Sequence, residues 1–447
     1  MCLNLLWGVS KRTVSLDNVL PIVNSNCSVK YKEKSKLMER NFMKYDFENI
    51  LERHGNDALA IDAVGIEGPN GFLPGAPEPG YSILPMWVAD MNFKTAPCII
   101  EAIQKRAAHA SFGYFFPRDE YFTSIINWHK IRYGTTAEKE YIGYENGVLG
   151  ALSSVLSAFT KEGDAVLINS PTYIGFLHTL EDMERKPSAS PLYRDENGIW
   201  RMDFCDMEKR IIEEKIKVAV FCSPYNPIGR VWERSEIEEF VSLCKKYDVI
   251  IFSDEIWCDL TLGGKKHIPT YSVNDDAKER VICAYAPSKT FSLAGLVGSY
   301  HVIPNENIRS AVVKAGDKTH YNSMNVLSQH ALIGAYSDEG ACWVDELLTV
   351  LKGNVDYACS HIESRYKGVS FARPEGTYML YLDWTEYMKE HNETDFDKIL
   401  KKGWDKGVIW QDGRPFGMEN TIRINLALPL WQVKEAFRRL DDCSIFQ

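Results

Sequence analysis

The sequence predicts an α/β protein: a doubly wound, mostly parallel sheet in a large domain, joined to a smaller α+β domain. Three observations predict it. Short, β-branched and almost wholly apolar runs recur at 165–169 (AVLIN), 217–222 (KVAVFC), 249–254 (VIIFSD) and 281–286 (VICAYA). Amphipathic helical runs such as SEIEEFVSLCKKY separate them. Beyond residue 330 the pattern changes to long helical runs, then YMLYLD, TIRINLAL and a last helix, VKEAFRRL. A strand apolar on both faces is buried on both faces, which is the habit of parallel sheets covered by crossover helices.

Taken in order, residues 1–42 have weak periodicity and a charged stretch, YKEKSKLMER, and read as an N-terminal extension or an upstream start. Residues 43–96 read as an arm that supplies part of the small domain. Within it, 64–84 are rich in Gly and Pro and predict an extended loop. Thr95 followed by Pro97 signals a helix start for CIIEAIQKRAA. YFTSIINWHKIR and GVLGALSSVLSAF predict two further helices, the second opening on Gly147. The large domain is expected over 97–330 and the small one over 331–447.

Composition narrows the function. The chain has 447 residues, 45% hydrophobic and 25% charged, with a net charge of −10. That balance argues against nucleic acid as a partner, because phosphate binding wants a basic face. The 11 cysteines include no C-x-x-C pair. Free thiols in a reducing compartment are expected, hence a cytoplasmic protein. No run approaches the ~20 apolar residues of a membrane span. The N-terminus lacks the basic lead and small-residue cleavage site of a signal peptide. G-x-G-x-x-G after a strand, the P-loop pattern, H-E-x-x-H and G-x-S-x-G are all missing, and the ten histidines have no metal spacing. No metal site is expected.

Chemistry concentrates where strands end. Ligands of doubly wound sheets bind at the carboxyl ends of the strands. Asp254 ends VIIFSD, Lys289 follows VICAYA by three residues, and Asn226 follows KVAVFC in SPYNPIGR. Gly147-Val148-Leu149 opens a helix, whose free N–H groups and dipole attract an anion. Arg423 lies on the alternating run TIRINLALP, and its planar guanidinium suits a carboxylate.

Six segments agree in order and spacing with one family: FGYFFPRDEYFTSIINWH, SPTYIGF, SPYNPIGRVW, SDEIWCDL, APSKTFSLAGL and TIRINLALP, preceded by DFENILERHG and LPMWVADMNF. From about residue 44 onward the chain resembles the fold-type I enzymes that use pyridoxal 5′-phosphate (PLP), and within them the MalY/PatB-like cystathionine β-lyases. The resemblance implies that Lys289 anchors the PLP aldehyde and moves the substrate's Cα proton. Asp254 would pair with the pyridine nitrogen, Asn226 bond the phenolate oxygen, and Tyr173 stack on the ring. Gly147, Val148, Leu149 and Ser288 would hold the phosphate, and Arg423 the substrate carboxylate. Tyr114 would reach the partner subunit's phosphate and substrate, which implies a homodimer with shared sites. The expected reaction is cleavage of a cysteine S-conjugate to a thiol, pyruvate and ammonia. The alternatives are an aminotransferase of a small amino acid and a binding or regulatory protein of the same fold.

Four positions depart from the pattern. Ala286 stands where Ser or Thr is common, Val297 where aminotransferases often carry arginine, Trp257 where Tyr or His is common, and Asn92 where Asp is usual. They bear on the substrate more than on the cofactor.

Overall fold

The computed structural model describes residues 43–66 and 73–443. The extension expected over 1–42 lies outside the described residues. Tyr45 onward forms one compact unit. In chain order the strands are β1 (Leu84–Met86), β2 (Ile142–Glu145), β3 (Ala165–Ser170), β4 (Lys186–Pro191), β5 (Tyr193–Arg194), β6 (Trp200–Arg201) and β7 (Val218–Cys222). They continue with β8 (Ile250–Asp254), β9 (Val281–Tyr285), β10 (Ser299–Val302), β11 (Ser370–Phe371), β12 (Met379–Asp383), β13 (Val408–Asp412) and β14 (Thr421–Asn425).

Seven strands form the large sheet in the order β2-β10-β9-β8-β7-β3-β4. β4, β3, β7, β8 and β9 are mutually parallel, and β10 is antiparallel to both its neighbours. β7 and β9 are buried along their whole length, as their apolar runs predict. Helices Ile174–Asp182, Phe204–Glu214 and Arg234–Lys246 lie between successive parallel strands in the chain. The last of these opens with a reciprocal cap between Glu233 and Glu236.

The sheet gathers the site. Cys222, at the end of β7, stands opposite Asp254, at the end of β8, and Asp254 stands opposite Ala284 near the end of β9. The segments leaving β7, β8 and β9 therefore emerge on one rim. Because β10 runs the other way, its first residue Ser299 meets Glu145, the last residue of β2. That register brings Asn146 and Gly147 to the same rim. β3 ends at Ser170 and leads to Tyr173.

A second sheet has the order β1-β13-β14-β12-β11, with β1 parallel to β13 and the rest antiparallel. Arg423 sits on β14 between Tyr381 of β12 and Gln411 of β13. β1 runs directly into Trp87–Asn92, which reaches the rim of the large sheet.

The helix predicted after Thr95 spans Pro97–Ala107 and has Pro97 in its first turn. Thr95 is not its cap: the cap position is Ala96, and Thr95 Oγ1 donates to Phe291 O at 2.7 Å instead. Residues 73–83 are non-helical, as the Gly/Pro content predicts. Cys222 and Cys283 are buried and free. Among the described residues, no helix is long and apolar enough to cross a membrane.

Candidate active site

A cavity of about 290 Å³ opens at the rim of the large sheet. Lys289, Asp254, Asn226, Tyr173, Gly147, Val148, Leu149 and Ser288 all line it. So do the departing residues Ala286, Val297 and Trp257.

Lys289 is carried on a single helical turn, Ser288–Phe291, that follows β9 after Ala286 and Pro287. Its Nζ donates to Ala89 O at 2.9 Å. Burial pulls the amine down from 10.5 to about 8; Asp90 opposes this, Arg423 adds to it, and Asp254 opposes it. A buried amine at such a value is partly neutral at pH 7, which nucleophilic attack on a carbonyl requires.

Asp254 is 4% exposed. Burial lifts its carboxyl from 3.8 to about 7, against the Ile256 N–H bond to Oδ1 at 3.0 Å and the Lys289 charge, while Glu255 lifts it further. A carboxylate raised by burial is electrostatically unsatisfied and gains by meeting a cation. Its neighbour Glu255 is the opposite case. It is fully buried, held down to about 2, and accepts from His267, Tyr285, Thr270, Ser253 and Cys283.

Tyr173 occupies the cap position of helix Ile174–Asp182 and meets Phe176 edge-on at 5.4 Å. Gly175 makes room for it: a Cβ there would lie 2.5 Å from the Tyr173 ring and 2.9 Å from Leu149 Cδ1. Gly147 caps helix Val148–Phe159 with φ +84°, a conformation natural to glycine. The first turn of that helix, Val148-Leu149-Gly150-Ala151, carries no acid, so its free N–H groups face the cavity uncompensated.

Arg423 does not line the cavity but stands immediately behind Asn226. Its Nη1 donates to Asn226 Oδ1 at 3.1 Å and its Nη2 to Trp87 O at 2.8 Å. Nε is buried and unpartnered, and burial drags the guanidinium down to about 10. A buried cation held only by neutral oxygens is a receptor for an anion. Tyr114 is fully exposed and lies outside this cavity.

The departures take definite places. Trp257 is 2% exposed, meets Tyr378 edge-on at 4.8 Å, and lies 5.8 Å from Lys289 Nζ. Val297 has φ +53°, and its Cγ1 would lie 3.6 Å from a Cβ added at Gly147. Ala286 is buried immediately after β9. Asn92 is tied by Arg53 Nη1 at 2.9 Å and to Pro85 O at 3.3 Å. An aspartate could not make the second bond, because it has no N–H.

Sequence reasoning missed Ala89 as an acceptor, Asn425 and Arg53. Asn425 Nδ2 donates to Val88 O at 2.8 Å and Asp90 O at 2.7 Å. Ala89 and Asn425 act through backbone carbonyls, which carry no residue-type signal, and Arg53 pairs with Asp90 and Asn92 across 37 and 39 positions, which no local pattern encodes.

The donor set fits PLP. An anion cradle lies at one end, an aromatic ring flanks the cavity, and an unsatisfied carboxyl and a partly neutral amine share its interior.

Residues 84–440 match the family described as aminotransferase class I and II. The cystathionine beta-lyase PatB of Bacillus subtilis is 33% identical over 88% of this chain and 98% of its own length. Protein MalY of Escherichia coli K12 is 30% identical over 76% of this chain and 84% of its own. The PLP-bound C-S lyase from Staphylococcus hominis superposes with a TM-score of 0.79 at 29% identity, covering 89% of this chain and 98% of that one. With the fold, the rim cavity and these likenesses together, the chain belongs to the aminotransferase class I and II family.

Proposed function

We propose that this chain is a PLP-dependent carbon–sulfur β-lyase. It cleaves cystathionine or a related cysteine S-conjugate to a thiol, pyruvate and ammonia. One observation carries the reading. A partly neutral buried lysine and a carboxyl lifted by burial line one cavity, a buried arginine without a carboxylate partner stands directly behind its Asn226, and the chain is 33% identical to a cystathionine β-lyase.

Bound PLP supplies an aldehyde for amine exchange and a cationic ring that takes up the electrons left at Cα. The chain's residues do the rest. Lys289 would anchor the cofactor and, once freed, hold the substrate's Cα proton on Nζ. Asp254 would keep the pyridine nitrogen protonated. Asn226 would donate to the phenolate oxygen, and Tyr173 would cover a ring face. Gly147, Val148 and Leu149 would offer N–H groups to the phosphate, with the Ser288 hydroxyl beside them. Arg423 binds the substrate carboxylate, exchanging neutral acceptors for a charged one. Val297 leaves the phosphate end without the arginine common in aminotransferases, which favours the lyase over transamination.

The same reading includes a cytoplasmic homodimer in which Tyr114 serves the partner's site. Phe112, Tyr114 and Phe116 are all exposed, and exposed aromatics within five residues support an interface there. It also includes a large domain over 97–330 and a small one over 331–447 with part of 43–96. In support, the large sheet lies within 142–302 and the second sheet joins β1 to strands after 370.

Lys289→Ala tests the assignment. The variant is expected to lose turnover and to give no borohydride-trapped cofactor on the protein. Normal activity in it would refute the role. A panel of β-substituted amino acids, read by pyruvate release, identifies the leaving group.

A further inference from the structure

The segment between β1 and the cavity is held at every residue from Val88 to Asn92. Asn425 grips the Val88 and Asp90 carbonyls. Lys289 Nζ donates to Ala89 O at 2.9 Å. Arg53, from the N-terminal arm, forms an ion pair with the Asp90 carboxylate. It also donates to Met91 O at 3.2 Å and to Asn92 Oδ1 at 2.9 Å. The Met91 N–H donates to Ser292 Oγ at 3.2 Å, three residues beyond Lys289. The Arg53 side chain is 12% exposed and that of Asp90 28%.

The segment is pinned from the arm, the second sheet and the Lys289 turn at once. Of these residues Ala89 lines the cavity, and its carbonyl meets the reacting nitrogen. That carbonyl has a use. When a substrate amine has replaced Lys289, the released nitrogen needs a fixed resting place. An N–H given to Ala89 O leaves the lone pair free to face the substrate.

We propose that Arg53 and Asp90 are positioning residues for Lys289: their ion pair holds the Ala89 carbonyl against its nitrogen and sets the charge balance around it. The inference rests on Lys289 being the cofactor anchor. The charged groups facing the Lys289 nitrogen are Asp90 from this segment, Arg423 from β14 and Asp254 from β8. Trp257 contributes a ring face, and Arg53 stands behind Asp90. Asp90 is the strongest of the charges and favours the proton on Lys289. Arg53 offsets it. Removing Arg53 leaves Asp90 uncompensated, and removing the Asp90 charge does the reverse.

The test uses full-length holoenzyme and the pH midpoint of the bound cofactor's visible band, which reports protonation of the Lys289 nitrogen. Arg53→Met is expected to move the midpoint up by about 0.5–1 pH unit and Asp90→Asn down by about as much, as a single charge in a partly buried setting does. The double variant returns close to wild type, and Arg53→Lys stays near it. In each, kcat changes more than KM, because neither residue meets the substrate. Asp90→Asn keeps the shape of the segment, so it reads the effect even if Arg53→Met folds poorly. A band whose midpoint stays put in Asp90→Asn, or moves the same way in both single variants, would overturn the clamp alone. A wild-type protein with no band would overturn the lyase reading with it.

Discussion

Replacing Asp254 with asparagine removes a charge from the cavity and little else. The side chain keeps its shape, and Oδ1 still accepts from the Ile256 N–H, a 3.0 Å bond in the native chain. What changes is the cost of burying a carboxylate. Its value rises from 3.8 to about 7 on folding. A raised carboxyl contributes stability that is fully present below about pH 4 and lost as pH rises through about 7. By pH 8 the loss amounts to about 4 kcal/mol, and at pH 5 to about 2 kcal/mol. Cofactor-free Asp254→Asn should therefore be more stable than the native chain by several kcal/mol at pH 8 and by about half as much at pH 5. Urea unfolding at the two pH values reads both numbers. The same variant should hold PLP poorly, since the pyridine nitrogen loses its counter-charge. Equal stabilities at pH 8, or a gain that grows towards acid, would refute the assignment of Asp254 as a carboxylate held ready for a cation.

Other consequences follow from the same geometry. Attachment of PLP to the cofactor-free protein should speed up about tenfold per pH unit and level off near pH 8, where the Lys289 amine titrates. A rise continuing past pH 10, as for an exposed lysine, would show that burial does not tune it. Gly175→Ala places a methyl 2.5 Å from the Tyr173 ring, so the ring must move; cofactor affinity should fall about tenfold or more with the fold retained, read by equilibrium dialysis. Arg423→Met should raise KM for the amino acid by about 100-fold, the worth of a charge-assisted carboxylate contact, while the visible band persists. An unchanged KM would place the carboxylate elsewhere.

The sequence reveals those parts whose residue types are forced by their surroundings. β7 and β9 are covered on both faces, so only apolar residues fit, and the runs stand out. Lys289 and Asn226 are visible because each follows such a strand, and Asp254 because it ends one. β2 and β10 carry Tyr144, Glu145 and His301 and are short, so neither periodicity nor apolarity marks them. Glu145 and His301 are buried as a pair at 2.7 Å, a solution that only tertiary structure reveals. The pairing of β1 with β13 joins residues more than 300 positions apart, and no local pattern encodes it. Thr95 shows the limit of cap signals: Pro97 was enough to start the helix, and the hydroxyl went to Phe291 O. The Ala89 carbonyl was invisible because every residue type presents the same backbone oxygen.

The decisive experiment incubates the purified holoenzyme with cystathionine and no added 2-oxo acid. A β-lyase releases homocysteine, pyruvate and ammonia in equal amounts, with water the only co-reactant. Pyruvate that fails to form, with amino-group transfer appearing only when a 2-oxo acid is supplied, would contradict the β-lyase reading.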